Sequence, residues 1–138
     1  MSTLKAIAFI AALACLFSVF IGKARTEEAT KKTQIEALLD AIEWVESKGD
    51  ANAIGDGGAS VGAYQIQKIY VDDINQWGYN YSYDDRYDRN KSRDMARIYL
   101  THYGGTIEEM ARKHNGGPRG HKKHATLRYW HKVRARME

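Results

Sequence analysis

An amphipathic helix stopped by a long glycine-rich stretch governs what this chain can become. Ile35, Leu38, Leu39, Ile42 and Val45 recur at three- and four-residue steps, which predicts a helix over residues 34–47 opened by Thr33 as its cap. Gly49 stops it. Residues 50–67 (DANAIGDGGASVGAYQIQ) are too rich in Gly, Asp, Asn and Ser to continue a helix. Asp56-Gly57-Gly58 signals a tight turn, and residues 61–66 offer one strand of a short hairpin.

Beyond that stretch the helical signals return. Residues 68–76 read as a short helix ended by Gly78, and residues 79–87 as an aromatic, acidic loop. A longer helix is expected from Asp88 or Arg89 to Tyr103, with Met95, Ile98, Tyr99 and His102 along one face. Thr106 and Glu109 have capping-box spacing and open a helix to His114, which Asn115-Gly116-Gly117-Pro118 breaks. A last helix is expected over about 126–133. The fold class that follows is mainly α, of α+β type, with short helices around one Gly-rich β-hairpin.

The N-terminus carries a different pattern. Lys5 precedes residues 6–22, a run without a charge, and Gly22-Lys23-Ala24 places small residues before a cleavage point. Residues 1–24 therefore read as a signal peptide for secretion or periplasmic export, or as a membrane anchor through 6–22 if uncleaved. Polar residues 25–33 are expected to be a linker, and 34–138 the functional domain. The single cysteine, Cys15, lies in the apolar run, so the domain after it has no disulfide and no thiolate metal site.

Net charge is +4, but from Arg112 onward nine Lys or Arg face one acid, Glu138. Such an end suits an anionic cell wall or membrane surface, and equally a solvated basic tail. No motif for specific nucleic-acid recognition accompanies it. The spacing of His114, His121, His124 and His131 within this basic stretch does not favour a divalent metal, so neither metal nor other cofactor is expected.

Glu46 is out of place. With Ile35 at the origin of a helical wheel, Val45 opens the apolar arc at about 280° and Leu39 closes it at about 40°. Glu46 falls inside that arc, at about 20°. Glu43 and Glu36 fall on the flank at about 80° and about 100°, and Asp40 at about 140°, where solvent reaches them. A carboxyl on an apolar face is desolvated, which raises its pKa and suits a general acid. In the last helical turn it can also swing to the rim and pair with a Lys or Arg. Helix geometry leaves those two readings balanced. Asp56, on the turn that follows, is either the second carboxylate of a glycosidase pair or a plain Asp-Gly turn residue.

Two blocks resemble a known family. Glu46-Ser47 followed by Gly55-Asp56-Gly57-Gly58-Ala59-Ser60-Val61-Gly62-Ala63-Tyr64-Gln65-Ile66 is similar to the Glu-Ser…Gly…Tyr/Phe-Gln-Ile signature of lysozyme-like muramidases and lytic transglycosylases. Ala111-Arg112-Lys113-His114-Asn115-Gly116-Gly117-Pro118-Arg119-Gly120, then Ala125-Thr126 and Tyr129-Trp130, resembles the C-terminal block of invertebrate-type (destabilase-type) lysozymes. The resemblance implies a lysozyme-like fold with a catalytic cleft. It implies Glu46 as catalytic acid and Asp56 as second carboxylate, with Ser60, Tyr64, Gln65, His114 and Asn115 lining the sugar cleft. Tyr64 would pack its ring against a pyranose face.

The family is dense in disulfides, whereas this chain carries Val61 and His121 where cysteines are expected. Some members also cleave isopeptide bonds, which would call on Ser60 and His114. The expected activity is hydrolysis of the β-1,4 bond between N-acetylmuramic acid and N-acetylglucosamine in peptidoglycan, by a monomer. The alternatives are a lytic transglycosylase using Glu46 alone and a non-catalytic cationic wall-binding protein.

Overall fold

The computed structural model describes residues 3–138, with side chains from residue 15 onward. The chain divides into two compact units, Met1–Gln34 and Ile35–Glu138. Within the first, the side chains of residues 15–34 are all exposed on helix α1 (Thr3–Ser47). Residues 25–33 are helical, and Thr33 caps nothing: its hydroxyl donates to the Ala29 carbonyl four residues back. Glu, Lys, Arg and Ala make up six of the nine residues beside three Thr, and no Gly or Pro interrupts them, so the helix can run through. Part of the apolar run 6–22 lies outside the described side chains. Among the described residues, no helix is long and apolar enough to cross a membrane.

The second unit holds the core. Ile35, Leu38, Leu39 and Ile42 of α1 are buried, as the periodicity requires, with Ala41 beside them. After Lys48 and Gly49, both at positive φ, the chain enters a two-stranded antiparallel sheet of β1 (Ile54–Gly55) and β2 (Ser60–Val61), joined by a 3-10 turn at Asp56–Gly58. The hairpin is thus earlier and shorter than the expected 61–66 strand, which contributes only a Val61–Ile66 bridge. Gly62 explains the difference. Its φ is +81°, and a Cβ there would meet the Arg86 carbonyl oxygen at 1.9 Å, so the chain turns sharply where a strand was expected.

Helices α2 (Lys68–Gln76), α3 (Arg89–Tyr103), α4 (Ile107–Gly116) and α5 (Leu127–Met137) complete the unit. Asp88 caps α3 by accepting from the Asn90 and Lys91 amides. Thr106 and Glu109 form the expected reciprocal box at α4. The expected loop at 79–87 instead contains a 3-10 turn, Tyr83–Tyr87, held by a Ser82–Asp85 capping box. Packing of α2 on α3, α3 on α4 and α4 on α5 closes one core containing Tyr64, Ile66, Val71, Ile74, Met95, Leu100, Met110 and Val133.

Charge fastens α1 to α3. Arg93 donates to Asp40 at 2.7 Å and Glu36 at 2.9 Å, Arg97 donates to Glu36 at 2.9 Å, and Arg89 pairs with Glu43. Glu43 is buried here, although its wheel position suggested solvent. The covering element is α3, which a wheel of α1 alone does not contain.

Candidate active site

Glu46 occupies the last turn of α1 and opens into a cavity of about 530 Å³. The helix places it beside the core, so its side chain keeps only 18% of its exposure. Burial raises its carboxyl from the ordinary 4.5 to about 7. Tyr129 of α5 opposes the rise most, the Asp56 carboxylate adds to it, and Lys132 opposes it weakly. The Tyr129 hydroxyl is buried with no partner at hydrogen-bond distance among the described residues. It is therefore a donor poised toward Glu46 rather than bonded to it.

Asp56 stands in the same cavity, on the 3-10 turn between β1 and β2. It is exposed and has a φ of +49°, in the left-handed region that Asp tolerates better than most residues. Ser60, buried on β2, donates its hydroxyl to Asp56 at 2.5 Å and accepts from Gln67 at 3.2 Å. A Gln67–Ser60–Asp56 chain thus orients the second carboxylate, and Gln67 escaped the sequence reading because its amide acts through Ser60.

His114 lies across from Glu46 with its side chain 3% exposed, and its Nε2 is 3.6 Å from Glu46 Oε1. This is not an ion pair. The Tyr64 carbonyl, 3.1 Å from Nε2, can only accept, so Nε2 carries the proton and Nδ1 accepts from the Tyr70 hydroxyl at 3.0 Å. Burial depresses the imidazole from 6.5 to about 4, so it stays neutral. Ser60 and His114 line one cavity, but Ser60 gives its proton to Asp56 and both imidazole nitrogens are held elsewhere. They do not form a nucleophile–base pair.

Of the residues expected to line the cleft, Ser60, Gln65, His114 and Asn115 do so. Gln65 spends its amide donors on the Ala53 and Gly62 carbonyls, at 3.1 and 3.0 Å, which makes it a clasp of the hairpin region. Tyr64 does not line it. Its ring is fully buried, and its hydroxyl accepts from Arg93 at 2.9 Å on the α1–α3 side. It cannot pack against a pyranose face, because Gly62 turns the chain and sends that ring into the core. The aromatic wall comes instead from Tyr70 and Tyr99, stacked at 3.8 Å. Both rings are otherwise buried and reach the cavity where α2 meets α3, a juxtaposition the sequence did not show.

Residues 24–135 match the family described as the transglycosylase SLT domain. A lysozyme of Magallana gigas is 36% identical over 80 residues, 54% of this chain and 58% of that one. Invertebrate-type lysozyme 6 of Caenorhabditis elegans is 63% identical over 30 residues, 22% of each chain. The chain thus spans less than two thirds of the length of these relatives. Among solved structures, the lysozyme of Tapes japonica is 31% identical with a TM-score of 0.58, covering 70% of this chain and 85% of that one. A Meretrix lusoria lysozyme complex with Aeromonas hydrophila PliI is 29% identical with a TM-score of 0.61, covering 72% and 87%.

Proposed function

The chain belongs to the lysozyme-like transglycosylase SLT domain family, and we propose that it is a muramidase cleaving the β-1,4 bond between N-acetylmuramic acid and N-acetylglucosamine. One observation carries this reading. Glu46 is a buried carboxyl that holds its proton near pH 7, in a cleft that also contains the Asp56 carboxylate. Glu46 protonates the departing glycosidic oxygen, and Asp56 forms or stabilises the glycosyl intermediate on the sugar. Once Glu46 has given up its proton, the Tyr129 O–H is poised to donate to the new carboxylate. Tyr70 and Tyr99 back the wall of the cleft, and Asn115 offers an amide at the rim.

A wall substrate lies outside the cytoplasm, which accords with reading residues 1–24 as an export leader. The test is mass spectrometry of muropeptides released from purified peptidoglycan. Wild type is expected to release reducing muramic ends and Glu46→Gln essentially none; full activity in that variant ends the reading.

The family match favours a second reading, a lytic transglycosylase that uses Glu46 alone. Asp56 separates the two. If Asp56→Asn keeps near-normal rates and the products carry 1,6-anhydromuramic ends, the transglycosylase reading replaces the hydrolase.

A further inference from the structure

Away from the cleft, the last turn of α1 and the face of α5 border a shallow, open hollow of about 370 Å³, lined by Trp44, Val45, Lys48, Lys132, Ala135 and Arg136. Three of these residues are cationic and none is acidic. The Arg136 guanidinium stacks on the Trp44 indole, 4.2 Å from the ring centroid, which fixes its plane and leaves N–H groups for an anion. Among the described residues, neither Lys48 nor Arg136 forms an ion pair with a carboxylate. Lys48 also sits at a φ of +57°, where a side chain is disfavoured and glycine is the usual occupant, yet a lysine stands there.

The hollow continues into a neighbouring one of about 500 Å³ that shares Trp44, Lys48 and Arg136 and adds Arg89, whose charge is taken up by Glu43. Its two acids are already engaged, Asp40 by Arg93 and Glu43 by Arg89. The result is a groove with cations along it over a partly apolar floor. On α1, Trp44 points about 160° away from Glu46, so whatever fills the groove is not the sugar in the cleft.

We propose that this groove is a docking site for a phosphodiester-linked polymer of the cell wall, gripped by Lys48 and Arg136 over Trp44 while the glycan strand lies in the cleft. The proposal rests on the peptidoglycan reading for the setting in which such a polymer is met. A phosphodiester chain alternates anionic groups with small, weakly polar links, which matches cations spaced around Val45 and Ala135. Arg supplies paired N–H donors to a phosphate, and Lys a point charge. A membrane surface fits less well. Trp44 keeps 46% of its exposure with Arg136 stacked on its ring, and no second exposed large apolar side chain lines the groove, so the apolar surface is too small for insertion between lipids.

The experiment compares binding of the full chain to purified walls before and after their phosphodiester polymer is extracted. It also follows the tryptophan indole NMR signals during titration with a glycerol-phosphate oligomer and, separately, with phosphatidylglycerol vesicles. Wild type is expected to bind extracted walls roughly tenfold more weakly, and the double variant Lys48→Ala/Arg136→Ala to bind both wall preparations alike. The Trp44 indole signal should move with the oligomer in wild type only. Equal preference for unextracted walls in wild type and variant overturns the proposal. So does a Trp44 response to vesicles without one to the oligomer. Hydrolysis of a short soluble oligosaccharide should be unchanged in the double variant. If instead Glu46→Gln keeps full hydrolysis, the muramidase reading fails while the wall-binding comparison stands by itself.

Discussion

Glu46 and His114 respond to pH in opposite directions, although they stand 3.6 Å apart. Burial raises Glu46 from 4.5 to about 7, so the folded state keeps a proton that the unfolded chain has lost. Its contribution to stability therefore falls as pH rises from about 4.5 to 7. Burial lowers His114 from 6.5 to about 4, so the unfolded chain binds a proton that the fold refuses. Its contribution rises as pH rises from about 4 to 6.5, and the two slopes oppose each other over the shared window. Glu46→Gln removes one of them. Its stability, measured by denaturant unfolding, should climb through that window and exceed wild type above pH 7 by up to about 3 kcal/mol. A variant profile parallel to wild type would show that Glu46 is not desolvated. Tyr129→Phe removes a donor that favours the ionised carboxylate. The alkaline limb of its pH–activity profile, and the Glu46 carboxyl titration followed by NMR, should both move to higher pH. A uniform loss of rate with an unmoved midpoint would make Tyr129 a packing residue only.

At the scale of elements, the joint between α1 and α3 takes the place of staples in a domain without cysteine. Arg93 holds three partners at once, Glu36, Asp40 and the Tyr64 hydroxyl. Removing it breaks the pairs with Glu36 and Asp40 and takes away the donor to the buried Tyr64 hydroxyl. Arg93→Ala is expected to cost about 2–4 kcal/mol in thermal or denaturant unfolding, and Arg93→Lys to recover less than half, because one ammonium cannot span the fork. A loss below about 0.5 kcal/mol would reduce the joint to a surface ion pair. The helices themselves were legible in the sequence: α2 has the expected bounds, and the α4 capping box forms as its spacing predicts. The hairpin was misplaced because Gly62 and Gln65 take positive φ, and a local pattern of alternation does not register such a turn.

At the scale of the whole molecule, the buried hydrophobic cluster among the described residues begins at Ile35 and draws its members from the second unit. A chain starting at Arg25 should unfold within a few degrees of the full chain and keep its wall-lytic rate, by calorimetry and turbidity clearing. A large fall in either would give the first unit a part in folding or activity. We propose that the basic residues from Arg112 onward that are not paired or buried draw the chain to an anionic wall through their summed charge. Attachment to walls should therefore weaken steadily between low and physiological salt, while hydrolysis of a short neutral oligosaccharide stays level. Salt-independent attachment would contradict that reading.

The sequence alone determined what depends on neighbours along the chain: helix positions from the helical repeat of apolar residues, their stops from Gly, and one carboxyl on an apolar arc. It singled out Glu46 as a carboxyl on an apolar face, because the rest of that face is apolar. Tertiary structure decided everything that depends on which face meets which. It buried Glu43 under α3, sent Tyr64 into the core, and brought Tyr70, Tyr99 and Tyr129 from three helices to the cleft. It also fixed the state of His114, since the Tyr64 carbonyl and Tyr70 hydroxyl that set its tautomer lie 50 and 44 residues away in the chain. Proton affinity follows solvent exclusion and close partners, and both are properties of the packed chain rather than of any segment of it.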